Sequence, residues 1–193
     1  MQLAAGLALV AGVAAIDAIR AAQQPSAGLA VLRLKWPNDI LIESAKVGGI
    51  LIESTTQSPR DNLAVVIGVG INLASAPADL AGQATSLSAH GIALSAREAL
   101  GLLANALDTW LKVWDEGAGF DRVRAAWLER AGPLGEALSV HGTAGVIAGA
   151  FAGLDADGAL LITGTYGQQQ RIRFGDVTLA PRADDDMRDG KGR

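Results

Sequence analysis

The first sixteen residues carry no charge, and the apolar run they form reaches Asp17 and Arg20 with interruptions only at Gly6 and Gly12. Small residues at this density let a helix pack closely on a sheet, so residues 2–22 are expected to form a buried helix. Gln23-Gln24-Pro25-Ser26 should close it, because proline cannot propagate helical hydrogen bonding. Beyond it the period changes. Val31 to Leu34 is short and β-prone, Pro37 forces a turn that Asn38 and Asp39 suit, and Ile40-Leu41-Ile42 resumes the extended pattern. Glu43-Ser44-Ala45 turns again, and Lys46 to Ser54 runs back as the return arm of an antiparallel hairpin.

Thr55 to Asn62 reads as a polar loop. Leu63 to Gly70 is so uniformly apolar that a central strand covered on both faces is expected. Ala74 to Gly91 reads as a long irregular connection. Ser95 with Glu98 three residues on makes a capping box for a helix running to about Glu116, with Trp110 and Trp114 on its apolar stripe. A further helix spans about Phe120 to Glu129 and stops at Gly132-Pro133. From there short β-prone runs alternate with glycine turns: Ala137–His141, Gly145–Leu154, Ala159–Thr165, Gln169–Phe174 and Val177–Leu179. Asp155-Ala156-Asp157-Gly158 is a strong turn signal. The pattern predicts a larger domain over 1–134, a small antiparallel β-barrel over 135–183 and a disordered tail over 184–193.

Half of the 193 residues are hydrophobic and 19% are charged, which suits a packed core. The formal net charge of −4 and the lack of a basic cluster argue against nucleic-acid binding. Cysteine is absent, which removes disulfides, zinc-thiolate sites and thiol nucleophiles and fits a cytoplasmic protein. The N-terminal run is too short to span a membrane and has no basic residues ahead of it, as a signal peptide would.

Familiar chemical motifs fail. Gly68-Val69-Gly70 begins like a dinucleotide fingerprint, but Leu73 stands where its third glycine belongs. No phosphate-loop signature occurs, and His90 and His141 lie in separate regions. Three other stretches carry candidate chemistry. In Lys35-Trp36-Pro37-Asn38-Asp39, proline fixes the chain so that a cation, an aromatic and two polar groups project in set directions. Lys35 could meet a phosphate, Trp36 could wall a pocket, and Asn38 or Asp39 could accept hydrogen bonds or approach a cation; equally, the stretch could be a tight turn with a hydrophobic plug. In Lys46-Val47-Gly48-Gly49-Ile50-Leu51-Ile52-Glu53, paired glycines mark a close approach of ligand or backbone. Lys46 there could stabilise negative charge as it develops in acyl or nucleotidyl transfer, or it could be a surface lysine beside a bulge. Gly68-Val69-Gly70-Ile71-Asn72 adds a third close-approach strand, with Asn72 as a ligand group or a turn residue.

In this order the three stretches resemble the biotin–protein ligase family. The resemblance implies an α+β fold, a class II synthetase-like mixed sheet flanked by helices, followed by an SH3-like barrel. It also implies an activity: joining biotin to ATP with Mg2+, then passing the biotinyl group to a lysine on the carrier domain of acetyl-CoA carboxylase or a related carboxylase. By position, Lys46 matches the family lysine at biotin and the reacting phosphate. Gly49, with Gly48 beside it, matches the glycine next to biotin, and Gly68 and Gly70 line the same pocket. Lys35, Asn38, Asp39 and Asn72 fall at the nucleotide end, with Asp39 the candidate magnesium ligand.

The family's upstream Ser/Thr-Asn segment and its Gly-Arg-Gly-Arg-x-Gly-Arg loop have no match in these residues. The resemblance therefore implies that two or three strands and a helix are missing, through a truncated or misassigned start rather than a short paralogue. It also implies weak adenylation or none from residues 1–193 alone. Thr178-Leu179-Ala180-Pro181-Arg182 departs from the family's Ser-Leu-Arg ending. A non-catalytic module binding biotin or carrier is the alternative, and a lipoyl- or octanoyl-transferase relative is a third reading. A sheet edge would serve a homodimer. The repressor role of some relatives needs a helix-turn-helix that has no match here.

Overall fold

The computed structural model describes residues 2–23, 30–55, 64–142 and 145–179. The Gln24-Pro25-Ser26 stop, most of the 55–62 loop, Leu63, Arg182 and the 184–193 tail lie outside them. The chain divides into two units, residues 1–132 with Leu154–Gly158, and residues 133–153 with 159–193.

The first unit is built on helix α1 (Gln2–Ala22). Leu9, Val10, Val13, Ala14, Ile16 and Ile19 are all at most 2% exposed, so the uncharged run is a core helix. A Cβ at Gly12 would lie 3.2 Å from Leu34 and 3.5 Å from Ile50; its absence lets α1 sit close on the sheet. That sheet is a meander of β1 (Leu32–Lys35), β2 (Asp39–Ile42), β3 (Ala45–Thr55) and β4 (Ala64–Ile71), in that order. Every strand pair in it is antiparallel. This corrects the expected mixed sheet: the connections between β1, β2 and β3 are tight turns, whereas a parallel neighbour needs a crossover of a dozen or more residues.

β4 corrects a second expectation. Its residues alternate between exposed and half-buried, and it is the edge of the four strands rather than a covered central one. α1 packs against one face of the sheet, so the apolar run has one covered side, and Val66 on the other is 60% exposed.

Helix α2 (Ala96–Trp114) starts with the Ser95–Glu98 capping box and ends one residue before Asp115, which adopts a left-handed conformation. Helix α3 spans Phe120–Arg130. Between the helices Asp17 accepts from Trp110 Nε1 at 2.9 Å and from Arg130 Nε and Nη2 at 3.1 and 2.8 Å. The Arg130 guanidinium lies 5.7 Å from the Trp110 ring centre. Trp110 therefore works as a half-buried anchor of the helix layer. Among the described residues, no helix is long and apolar enough to cross a membrane.

The second unit is a five-stranded antiparallel sheet. Its strands are β5 (Ala137–Gly142), β6 (Gly145–Leu154), β7 (Leu160–Thr163), β8 (Gln169–Ile172) and β9 (Asp176–Leu179), ordered β8-β7-β6-β5-β9. β8 and β9 are its two ends, so the described residues form an open sheet and not the closed barrel expected. Asp155 opens the β6–β7 turn by accepting from Asp157 N at 2.8 Å, and Gly158 adopts φ 82°.

Candidate active site on the open face of the sheet

Register brings the sequence candidates together. Lys35 pairs with Asp39, Asp39 with Gly49, and Gly49 with Gly70, so one row crosses all four strands. Because side chains alternate along a strand, Leu34, Ile40, Gly48 and Ile50 share the face covered by α1. Lys35, Asp39, Gly49 and Gly70 share the opposite face, which is buried at Asp39 and opens over β3 and β4 toward Leu51, Gly68 and Val66.

Strict alternation would turn Lys46 toward the covered face with Gly48 and Ile50. A bulge prevents this: Ile40 pairs with Gly48 but Leu41 with Lys46, leaving Val47 as an extra residue. A bulge of this kind re-aims the side chains beyond it, and Lys46 emerges on the same face as Asp39. Its backbone is gripped on both sides, since Lys46 N donates to Gln83 O and Thr85 N donates to Lys46 O, each at 2.8 Å. The 74–91 connection is thus a clamp. Leu87 is fully buried within it, Ser86 is 4% exposed, and Thr85 Oγ1 meets His90 Nε2 at 2.9 Å. Gln83, Thr85 and Ser86 had no motif to mark them.

Electrostatically the site is one carboxylate between two ammonium groups. Asp39, 6% exposed, pairs through Oδ2 with Lys35 Nζ at 2.8 Å and through Oδ1 with Lys46 Nζ. The Lys46 side chain remains half exposed while that of Lys35 is 17% exposed. The lower-lying Lys35 helps fix the carboxylate, and Lys46 presents its charge at the surface. The Lys46 stem lies along Gly49, where a Cβ would stand in ordinary contact, 3.4 Å from both Lys46 Cε and Nζ.

Asp39 does not fit the magnesium ligand expected of it. Both of its oxygens face ammonium groups, and a dication added there would meet two positive charges at close range. Among the described residues no group of three or more His, Cys, Asp or Glu could hold a metal.

The remaining candidates divide. Trp36 is 7% exposed and donates its indole N–H to Gly158 O at 3.1 Å, so it is a core plug rather than a pocket wall. Asn38 binds Ile50 in both directions, Nδ2 donating to Ile50 O at 2.7 Å and Ile50 N donating to Asn38 O at 2.9 Å. Asn72 Nδ2 donates to Thr85 O at 3.0 Å, tying the end of β4 to the clamp. The glycines differ as well. A Cβ at Gly48 would lie 2.5 Å from Gly70 O, so Gly48 is required by strand packing, whereas one at Gly70 would meet nothing within 4 Å. A separate cleft of about 470 Å³ lies beside Gly6, Trp114, Phe120 and Asp157, and none of the three motifs reaches it.

Residues 1–72, which contain all three motifs, match the model of the Biotin/lipoate A/B protein ligase family. The biotin–[acetyl-CoA-carboxylase] ligase of Paracoccus denitrificans is 41% identical over 172 residues, a match covering 86% of this chain and 70% of that protein. The chain belongs to the biotin/lipoate protein ligase family. Another relative, the bifunctional ligase/repressor BirA of Bacillus subtilis, is 31% identical over 186 residues. That match covers 93% of this chain but 54% of the repressor's length. The biotin protein ligase of Aquifex aeolicus, solved in complex with biotin and ATP, superposes with a TM-score of 0.74 at 25% identity, covering 92% of this chain and 72% of that one. In this ligase family member, the bulge, the row and the clamp are the local frame of the family motifs.

Proposed function

We propose that this chain carries the reacting end of an ATP-dependent biotin–protein ligase. The reaction is attack of a biotin carboxylate oxygen on the α-phosphorus of ATP, giving biotinyl-5′-AMP and releasing pyrophosphate. The amine of a carrier-domain lysine then attacks the biotinyl carbonyl carbon, AMP leaves, and the amine gives up a proton. The observation that carries the reading is Lys46, a half-exposed ammonium that a bulge aims across Gly49 on the face opposite α1. There it would offset the charge that accumulates as carboxylate and phosphate approach each other, by placement rather than covalent chemistry. Gly49, Gly68 and Gly70 leave room for biotin. Lys35 lies toward the nucleotide, with Asn38 and Asn72 shaping that end through the backbone. Mg2+ would arrive on the phosphate oxygens of ATP, as is usual for this ion.

Within the same reading, residues 1–134 form the catalytic domain and 135–183 the counterpart of the SH3-like domain, followed by the tail. The partner is the carrier domain of acetyl-CoA carboxylase or a related carboxylase, the compartment is the cytoplasm, and the β4 edge is the surface a homodimer would use. The test is calorimetry with biotin and MgATP, followed by pyrophosphate release and carrier labelling. Saturable biotin binding with weak pyrophosphate release is expected, and a chain that binds no biotin contradicts the proposal. A second reading is a module that binds biotin or carrier without turnover. It predicts binding with no pyrophosphate release.

A further inference from the structure

We infer that Asp39 is the positioning residue for Lys46, holding its ammonium over Gly49 through an ion pair that Lys35 braces from the opposite side. The inference deepens the proposed function and rests on it for its catalytic consequence, but the geometry stands alone. Lys46 has a four-carbon stem and starts next to a bulge, so its ammonium can reach many positions. Two features select one of them, beside Gly49, where a Cβ would lie 3.4 Å from Lys46 Cε and Nζ. The backbone of Lys46 is fixed by Gln83 and Thr85. Asp39 Oδ1 receives the ammonium while Oδ2 is engaged by Lys35 at 2.8 Å.

The second contact sets the carboxylate's orientation. With Lys35 on one oxygen, the carboxylate plane turns the other oxygen toward Lys46. Asp39 lies on β2 opposite Gly49, which places that oxygen beside the glycine. Two ammonium groups on one carboxylate leave a net positive charge at the row. The pair can therefore hold Lys46 in place and still attract an anionic substrate group, which a single lysine–carboxylate pair would largely cancel.

The experiment compares the full chain with Asp39→Asn, Asp39→Glu, Lys46→Ala and the Asp39→Asn/Lys46→Ala double variant. Circular dichroism melts confirm that each is folded. The first readout needs no activity: acylation of Lys46 by an N-hydroxysuccinimide ester at fixed pH, followed by peptide mass spectrometry. Acylation requires the ammonium to leave Asp39, so Asp39→Asn should speed labelling of Lys46 by about two- to fivefold, in line with a pair to a half-exposed lysine. Asp39→Glu should restore much of the protection. Unchanged labelling of Lys46 in a folded Asp39→Asn variant would overturn the inference, as would a rate change of equal size at the distant Lys112.

The second readout is adenylate formation. Asp39→Asn should lower kcat with a smaller effect on the KM for biotin, and its effect should vanish in the Lys46→Ala background. Additive losses would mean that Asp39 acts without Lys46. A wild-type chain that binds neither biotin nor ATP, yet shows the labelling change, would sink the ligase reading and leave the positioning role intact. If Asp39→Asn fails to fold, Lys35→Met applies the same labelling test from the bracing side: faster Lys46 labelling supports the inference, and no change opposes it.

Discussion

The molecule uses a carboxylate to gather cations in two places, and the two differ in a way that separates support from function. Between the helices, Asp17 takes the planar guanidinium of Arg130 at two nitrogens and the Trp110 indole on its other oxygen. The Arg130 side chain is 13% exposed. On the sheet, Asp39 takes two lysines, one on each oxygen and each through a single ammonium contact, and one of them stays half exposed. A guanidinium fork spends its donors on the protein and locks a joint. An ammonium on a flexible stem can be pinned at one contact and still offer protons to something else. The helix cluster therefore reads as a joint and the sheet cluster as a presented charge.

Substitutions can break the comparison. The largest effect is expected from Lys46→Ala, which should cost about 10²–10³ in the rate of adenylate formation, the usual scale for removing one charge-stabilising donor. Its melting temperature should stay within a degree or two of wild type, and a large loss of stability would recast Lys46 as structural. Next comes the glycine pair. Gly48→Ala sets a Cβ against Gly70 O at 2.5 Å and should destabilise by about 1–3 kcal/mol in urea melts, as overpacking does. Gly70→Ala points into open space and should change stability by less than about 0.5 kcal/mol while weakening biotin binding. Equal stability losses at the two glycines would contradict the assignment of one to packing and the other to a ligand.

Asp17→Ala should also cost stability, roughly 1–3 kcal/mol, because it leaves Arg130 and the Trp110 N–H without their acceptor. Biotin affinity should be unchanged. The smallest effect concerns the α2 cap. The Ser95 hydroxyl and then its backbone N–H hold the Glu98 carboxyl below its ordinary value of 4.5. A lowered folded-state value means that the cap's contribution is complete above that ordinary value and fades as pH falls through the folded one. Ser95→Ala should cost about 1 kcal/mol at neutral pH, and thermal melts should show that difference shrinking on acidification.

How much of this could be read from the chain depends on whether the signal was local. α1, the α2 capping box and the Asp155–Gly158 turn follow from neighbouring residues, and their positions were legible. The row Lys35–Asp39–Gly49–Gly70 needs register across four strands, which no single stretch contains. One clue was present: Lys46 shares parity with Gly48, Ile50 and Ile52, so a lysine stood where an unbroken strand would bury it. A bulge resolves that conflict, and the conflict itself is visible in the sequence. The edge position of β4 is hidden in the sequence, because an apolar run records hydrophobicity and not how many faces are covered. Trp36 and Asp39 suggest ligand roles in the sequence because polar and aromatic groups in a turn have two uses. Only geometry shows the indole N–H bound to Gly158 and the carboxylate already holding two cations. The clamp at Gln83–Ser86 carries no motif, since it works through backbone groups that every residue has.

In the proposed function, the open sheet face around Lys46 receives biotin and the nucleotide. The most direct test is a nitrogen–proton correlation spectrum of the labelled chain, titrated with biotin and then with MgATP. Glycine amides fall in a characteristic region, so Gly48, Gly49, Gly68 and Gly70 can be followed together. Biotin should shift Gly49, Gly68 and Gly70, and MgATP should extend the changes to Lys35 and Asp39. No change is expected at Gly117, in the cleft beside Trp114 and Phe120. Shifts confined to that cleft, or no shift on the sheet face at saturating ligand, would rule out binding at Lys46.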